Sequence, residues 1–103
     1  MSNLNFIIQN ENGLVFIPDR YFASGGKRDH RRWVVITGEI QKGELAEGDP
    51  IKLKIPFCEE FITETVVRIE RNKEQINYAV KNEVVGIQLS STGLRELRKF
   101  IEG

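Results

Sequence analysis

Read for apolar and polar positions, the chain is a series of short apolar runs separated by polar or glycine-containing turns. Residues 4–8 are apolar and β-branched at their end. The cluster at 9–13 that follows contains Asn12-Gly13, a hairpin signal. Residues 14–17 return as a strand that Pro18-Asp19 is expected to stop, and Tyr21 and Phe22 add a short apolar contact. Residues 24–32 are glycine-rich at the start and then charged, which predicts an exposed loop or hairpin tip. Residues 33–37 form a continuous apolar run, the pattern of a buried strand.

Three glycines, Gly38, Gly43 and Gly48, then fall five residues apart. The pieces between them, 39–42 and 44–47, read as short connectors, each with one apolar side chain, Ile40 or Leu45. Residues 50–55 alternate with period two, giving one apolar and one basic face. Pro56 interrupts. The longest strand-like run is 61–70, and its alternation breaks at Val66-Val67, where a bulge or change of sheet is expected. After a charged turn at 71–75, two more strands, 76–80 and 84–89, flank a turn in which Asn82 suits a left-handed position. From Thr92 the period changes: Leu94, Leu97 and Ile101 lie at i, i+3 and i+7 with Phe100 adjacent, predicting an amphipathic helix over 92–101. Thr92 would be its N-cap and Gly103 its end. Many short strands with regular turn signals predict an all-β barrel or sandwich.

Composition narrows the class. A length of 103 residues is one domain's worth, and 40% hydrophobic with 29% charged residues is the balance of a soluble globular chain. Formal net charge is zero, which argues against a globally basic nucleic-acid binder and leaves room for a local patch. Cys58 and His30 are single copies, so no intramolecular disulfide, metal site or cofactor is expected. The N-terminus lacks the basic flank and long apolar core of a signal peptide, and no apolar run approaches the ~20 residues of a membrane span. These features predict a cytoplasmic chain without membrane contact. From Met1 and the capped tail a complete chain is expected, with a fragment of something larger as the alternative.

Residues 32–53 resemble the signature region of the β-barrel second domain of translational GTPases, the family of elongation factor Tu and the initiation factors. The matching residues are the apolar strand Val34-Val35-Ile36-Thr37 ending in Gly38, then Ile40, Gly43, Leu45 and Gly48-Asp49, followed by Ile51 and Leu53. Residues 14–22 look like the strand that opens this domain, and 79–87, with Val85-Gly86-Ile87, look like its closing element. The resemblance covers 14–89. It implies a small Greek-key-like closed β-barrel of six or seven strands, here a stand-alone copy over 1–103 with an extra strand and turn at 1–13 and the helix at 92–101. Val35, Ile40, Leu45, Ile51, Leu53, Val66, Ile69, Val85, Ile87 and Leu89 would point inward, with Gly38, Gly43, Gly48 and Gly86 as structural turn glycines. In the family this barrel contacts the GTPase domain, transfer RNA ends or ribosomal RNA, which implies a translation- or RNA-related partner. The chain departs from the pattern in an apparent insertion at 27–31, in Asn82 where glycine is common, and in its two ends. It has no Gly-x-x-x-x-Gly-Lys-Ser/Thr loop: Gly25-Gly26-Lys27 lacks the first glycine and the following hydroxyl residue. Asn72-Lys73-Glu74-Gln75 is similar to the guanine-reading Asn-Lys-x-Asp but ends in Gln. GTP binding is not expected, nor is an enzyme.

The candidate binding residues are Lys27, Arg28, His30, Arg31, Arg32 and Trp33: cations that neutralise phosphates beside a ring that stacks on a base. The plainer reading is a solvated loop with Trp33 in the core. Residues 39–64 carry seven acidic and three basic side chains, which would form either an acidic side or an ordinary solvated surface. Glu59, Glu60 and Glu64 suggest paired carboxylates, but no nucleophile lies near and strands put such residues outside by default. Cys58 with His30 lacks an orienting third group. The helix stripe either plugs a barrel end or meets a partner. Two functions follow: a non-catalytic module that contacts RNA or a ribosome- or translation-related partner, or a protein-interaction or self-assembly module using a strand edge or the helix.

Overall fold

The computed structural model describes residues 6–24, 33–54, 59 and 61–89, and these are mostly β-strand. In chain order the strands are β1 (Ile7–Gln9), β2 (Val15–Ser24), β3 (Trp33–Lys42), β4 (Glu44–Ala46), β5 (Pro50–Lys54), β6 (Phe61–Arg71), β7 (Glu74–Ile76), β8 (Tyr78–Val80) and β9 (Val84–Leu89). Six of them pair antiparallel in the order β5-β1-β2-β3-β9-β6, and β5 also pairs with β6, so the sheet closes into a barrel. The run β5-β1-β2-β3 is Greek-key order: β5 returns beside the first of three consecutively paired strands. β7 adds to β6, and β4 with β8 forms a separate two-stranded sheet. The helix expected at 92–101 lies outside the described residues.

Closure depends on β6. Its first half, 61–65, pairs with β5, and its second half, 66–70, pairs with β9. Between them the register shifts from Val66 to Arg68, leaving Val67 as an exposed extra residue. This is the bulge that the broken alternation at Val66-Val67 predicts. It lets Val66 and Ile69, three apart, both face inward.

The interior is filled in rows across the strands. Ile62, Leu53, Ile8, Phe16 and Ile40 are successive partners on β6, β5, β1, β2 and β3, and Ile36, Ile87 and Ile69 form another row on β3, β9 and β6. All but Ile62 are buried, and Ile62 packs against the core. Each fully buried aliphatic or aromatic side chain contributes about 1.5–3 kcal/mol. Nine of the ten residues expected to face inward do so; at β3 it is Ile36 rather than Val35. The correction follows from β3 being one uninterrupted strand: Ile36, Gly38 and Ile40 share its inner face, and residues 39–42 are strand rather than connector.

Pro18 does not stop β2. It sits beside a register shift between Pro18 and Arg20, where Asp19 is extra, a place in a sheet that tolerates proline. The predicted strand 76–80 is instead two strands, because the chain leaves β6's edge after Ile76 and pairs with β4 from Tyr78. At the first hairpin the Asn10 carboxamide oxygen accepts the amides of Asn12, 2.8 Å, and Leu14, 3.0 Å, so the turn spans five residues rather than two.

Candidate functional site

The outer face of β1, β5 and β6 gathers the cations and the aromatic ring that the described residues offer together. Along β5 the side chains alternate, Ile51 and Leu53 inward, Lys52 and Lys54 outward. Pairing aligns Gln9, Lys52 and Thr63 in one outward row, and Ile7, Lys54 and Phe61 in the next. Phe61 is 52% exposed, and the Lys52 ammonium lies over its ring, 5.0 Å from the centroid. Such a contact is worth about 0.5–1 kcal/mol at an exposed site. Neither lysine forms an ion pair among the described residues. A groove of about 540 Å³ lies over this face, lined also by Asn10, Glu11 and Glu59. A planar apolar surface flanked by ammonium groups and by amide and hydroxyl groups suits a planar ligand that carries negative charge.

A second surface belongs to the small β4–β8 sheet. Tyr78 and Val80 are exposed there, and so is Val84 at the start of β9. The turns that follow β4 and β8 are built alike. Asp49 donates its amide to the Ala46 carbonyl and accepts the Ala46 amide on its carboxylate, 2.9 Å. Glu83 does the same with Val80, its carboxylate accepting the Val80 amide at 2.9 Å. The left-handed residues at the third turn positions are Gly48 and Asn82. The Glu83 carboxylate also accepts a hydrogen bond from the Arg71 guanidinium at the end of β6. The Val80 amide first, and then Arg71, hold the Glu83 carboxyl below the usual carboxylate range against a smaller opposing effect of desolvation.

The residues expected to form a site fall as follows. Lys27, Arg28, His30, Arg31 and Arg32 lie outside the described residues, as do Cys58 and Glu60. Trp33 opens β3 opposite Ser24. Glu59 is exposed and lines the groove, whereas Glu64 is 8% exposed and faces into the barrel. The expectation that strands put such carboxylates outside fails at Glu64, because it shares the inner face of β6 with Val66. Among the described acidic residues of 39–64, Glu64 alone is buried. Two of the turn glycines are also corrected: Gly38 lies within β3 and Gly86 within β9, while Gly43 and Gly48 take positive φ between strands. Sequence reasoning missed the Lys52–Phe61 face. The basic side of β5 was visible in its alternation, but the register that brings Gln9, Thr63 and Phe61 beside it was not.

Among the described residues no group of His, Cys, Asp and Glu side chains could hold a metal ion, and no helix is long and apolar enough to cross a membrane. No protein-family model, curated protein or solved structure matches the chain.

Proposed function

We propose that this chain is a non-catalytic binding module of the kind its resemblance to the translation-factor barrel implies, and that it contacts RNA. The observation that carries the reading is the outer face of β5: Lys52 and Lys54, in no ion pair among the described residues, beside exposed Phe61, on the wall of a closed antiparallel barrel. Small barrels that bind single strands combine cations for the backbone with rings for the bases. Lys27, Arg28, Arg31 and Arg32, which precede β3 in the sequence, are proposed to add four charges to the contact. Zero net charge makes the contact local, and a ribosome- or translation-related partner is the context the resemblance supplies.

A second reading, a protein-interaction or self-assembly module, is favoured by exposed Tyr78, Val80 and Val84. The carboxylates that occupy the Ala46 and Val80 amides work against strand addition at those two positions.

Fluorescence anisotropy with a labelled single-stranded decauridylate, repeated across salt concentrations, tests the first reading. Binding should weaken with salt, with a logarithmic slope of about 0.7 per phosphate contacted. Replacing Lys27, Arg28, Arg31 and Arg32 by alanine should lower that slope by up to about 3. Absence of binding at low salt overturns the reading. The same absence, with a mass in sedimentation that rises with protein concentration, supports the second.

A further inference from the structure

We propose that the groove across β1, β5 and β6 seats one unstacked nucleotide of a single-stranded RNA, its base on Phe61 and the adjoining phosphates on Lys52 and Lys54. The inference deepens the RNA reading and rests on it.

Four observations converge on this occupant. Phe61 presents half of its surface to solvent at the wall of the groove, so a ring face is available to a base that is not already stacked. Lys52 and Lys54 leave the same face of β5 two residues apart, a spacing of about 6.8 Å along an antiparallel strand. That is the scale on which consecutive phosphates of an extended strand recur. The space of about 540 Å³ is that of a small-ligand pocket. Gln9 and Thr63 flank Lys52 in the cross-strand row and bring an amide and a hydroxyl that can meet the base edge.

The charge balance narrows the ligand further. Among the described lining residues Glu11 and Glu59 balance the two lysines, so these residues attract no anion by net charge alone. Affinity must come from the ring, with the lysines placing the backbone. A duplex, whose bases are already stacked and paired, offers Phe61 no face. A proline-rich peptide would want an aromatic-lined groove, and among the described residues Phe61 is the one aromatic that lines this one. In the free protein the Lys52 ammonium covers the ring at 5.0 Å; a base takes that place and Lys52 turns to the phosphate.

The test uses the whole chain, a labelled decauridylate and an RNA duplex of ten base pairs. Phe61→Ala should weaken single-strand binding roughly five- to hundredfold, the loss of one base–aromatic stack. Phe61→Trp should restore it. Lys52→Ala with Lys54→Ala should lower the salt slope by about 1.4. Amide chemical-shift changes on titration should centre on β1, β5 and β6. Thermal melting checks that each variant folds. The groove is overturned, and the RNA reading kept, if these variants bind like the wild type while the Lys27, Arg28, Arg31 and Arg32 variant loses binding. Duplex binding as tight as single-strand binding also overturns the groove. A wild-type chain that binds neither RNA overturns both.

Discussion

Two glycines that look alike in the sequence have opposite reasons for being there. At Gly38 an added Cβ would lie 2.2 Å from the Ile17 carbonyl oxygen and 2.8 Å from the Phe16 ring, because β2 presses against β3 beside the bulge at Asp19. Backbone cannot yield as a flexible side chain does, so Gly38→Ala should cost about 3 kcal/mol or more. At Gly86 the same Cβ would meet the Thr37 and Val35 side chains at 3.5 and 3.6 Å, ordinary contact distances. Gly86→Ala should be neutral or stabilise by up to about 1 kcal/mol, since glycine within a strand carries an entropic cost. Urea unfolding of the two variants measures both outcomes. The sequence reading took Gly38 for a turn glycine. It could not show that the reason is close approach rather than a turn, because that depends on which carbonyl the partner strand places opposite.

At the scale of elements, turns were legible where a residue's own chemistry makes them. Asn82 does take a left-handed conformation, φ 76°, as its side chain permits. The β6–β7 turn is a two-residue hairpin with positive φ at both Asn72 and Lys73, 54° and 69°. Nothing in a lysine announces that conformation, and the sequence reading stopped at a charged turn. Lys73 bears the steric cost of left-handed backbone, about 1–2 kcal/mol, which glycine avoids at an entropic cost of about 0.5–1 kcal/mol. Lys73→Gly should therefore raise stability by about 0.5–1 kcal/mol, read as a higher denaturation midpoint. Strand identity was legible for β5, β6 and β9, whose patterns are long or strictly alternating. It was not for β2, where the bulge lets Pro18 pass, or for β7 and β8, because a change of pairing partner between Ile76 and Tyr78 leaves no mark on a run of strand-forming residues.

At the scale of the whole molecule, the small sheet is tied to the barrel by its turns. The Ile40 amide donates to the Glu83 carbonyl, 3.0 Å, and the Asn82 amide to that of Ile40, 2.7 Å. The Arg71–Glu83 ion pair joins the same turn to the end of β6. Both hydrogen bonds to the Glu83 carboxylate favour its charged form, so its pKa in the folded chain lies below the unfolded value. The stability it adds is present above the unfolded carboxylate range and is lost as pH falls through the folded pKa. Thermal melts from neutral to acidic pH should show Glu83→Gln with a lower melting temperature at neutral pH and a shallower fall on acidification than the wild type.

The sequence alone determined that the described part of the chain is β, where most of its strands run, and nine of the buried core residues, though not Ile8, Phe16, Ile36 or Ala79, because period-two burial is a local property written into consecutive side chains. The resemblance over residues 14–89 implied a barrel before any pairing was known. Only the tertiary structure decided how the barrel closes, with β5 beside β1 and β6 serving both β5 and β9. The same pairings decided that Glu64 faces inward and that Lys52, Lys54, Phe61, Gln9 and Thr63 share one outer face. Those residues lie up to 54 positions apart, from Gln9 to Thr63. Register between strands so distant is fixed by the summed fit of the whole interior and not by any residue's neighbours in the chain.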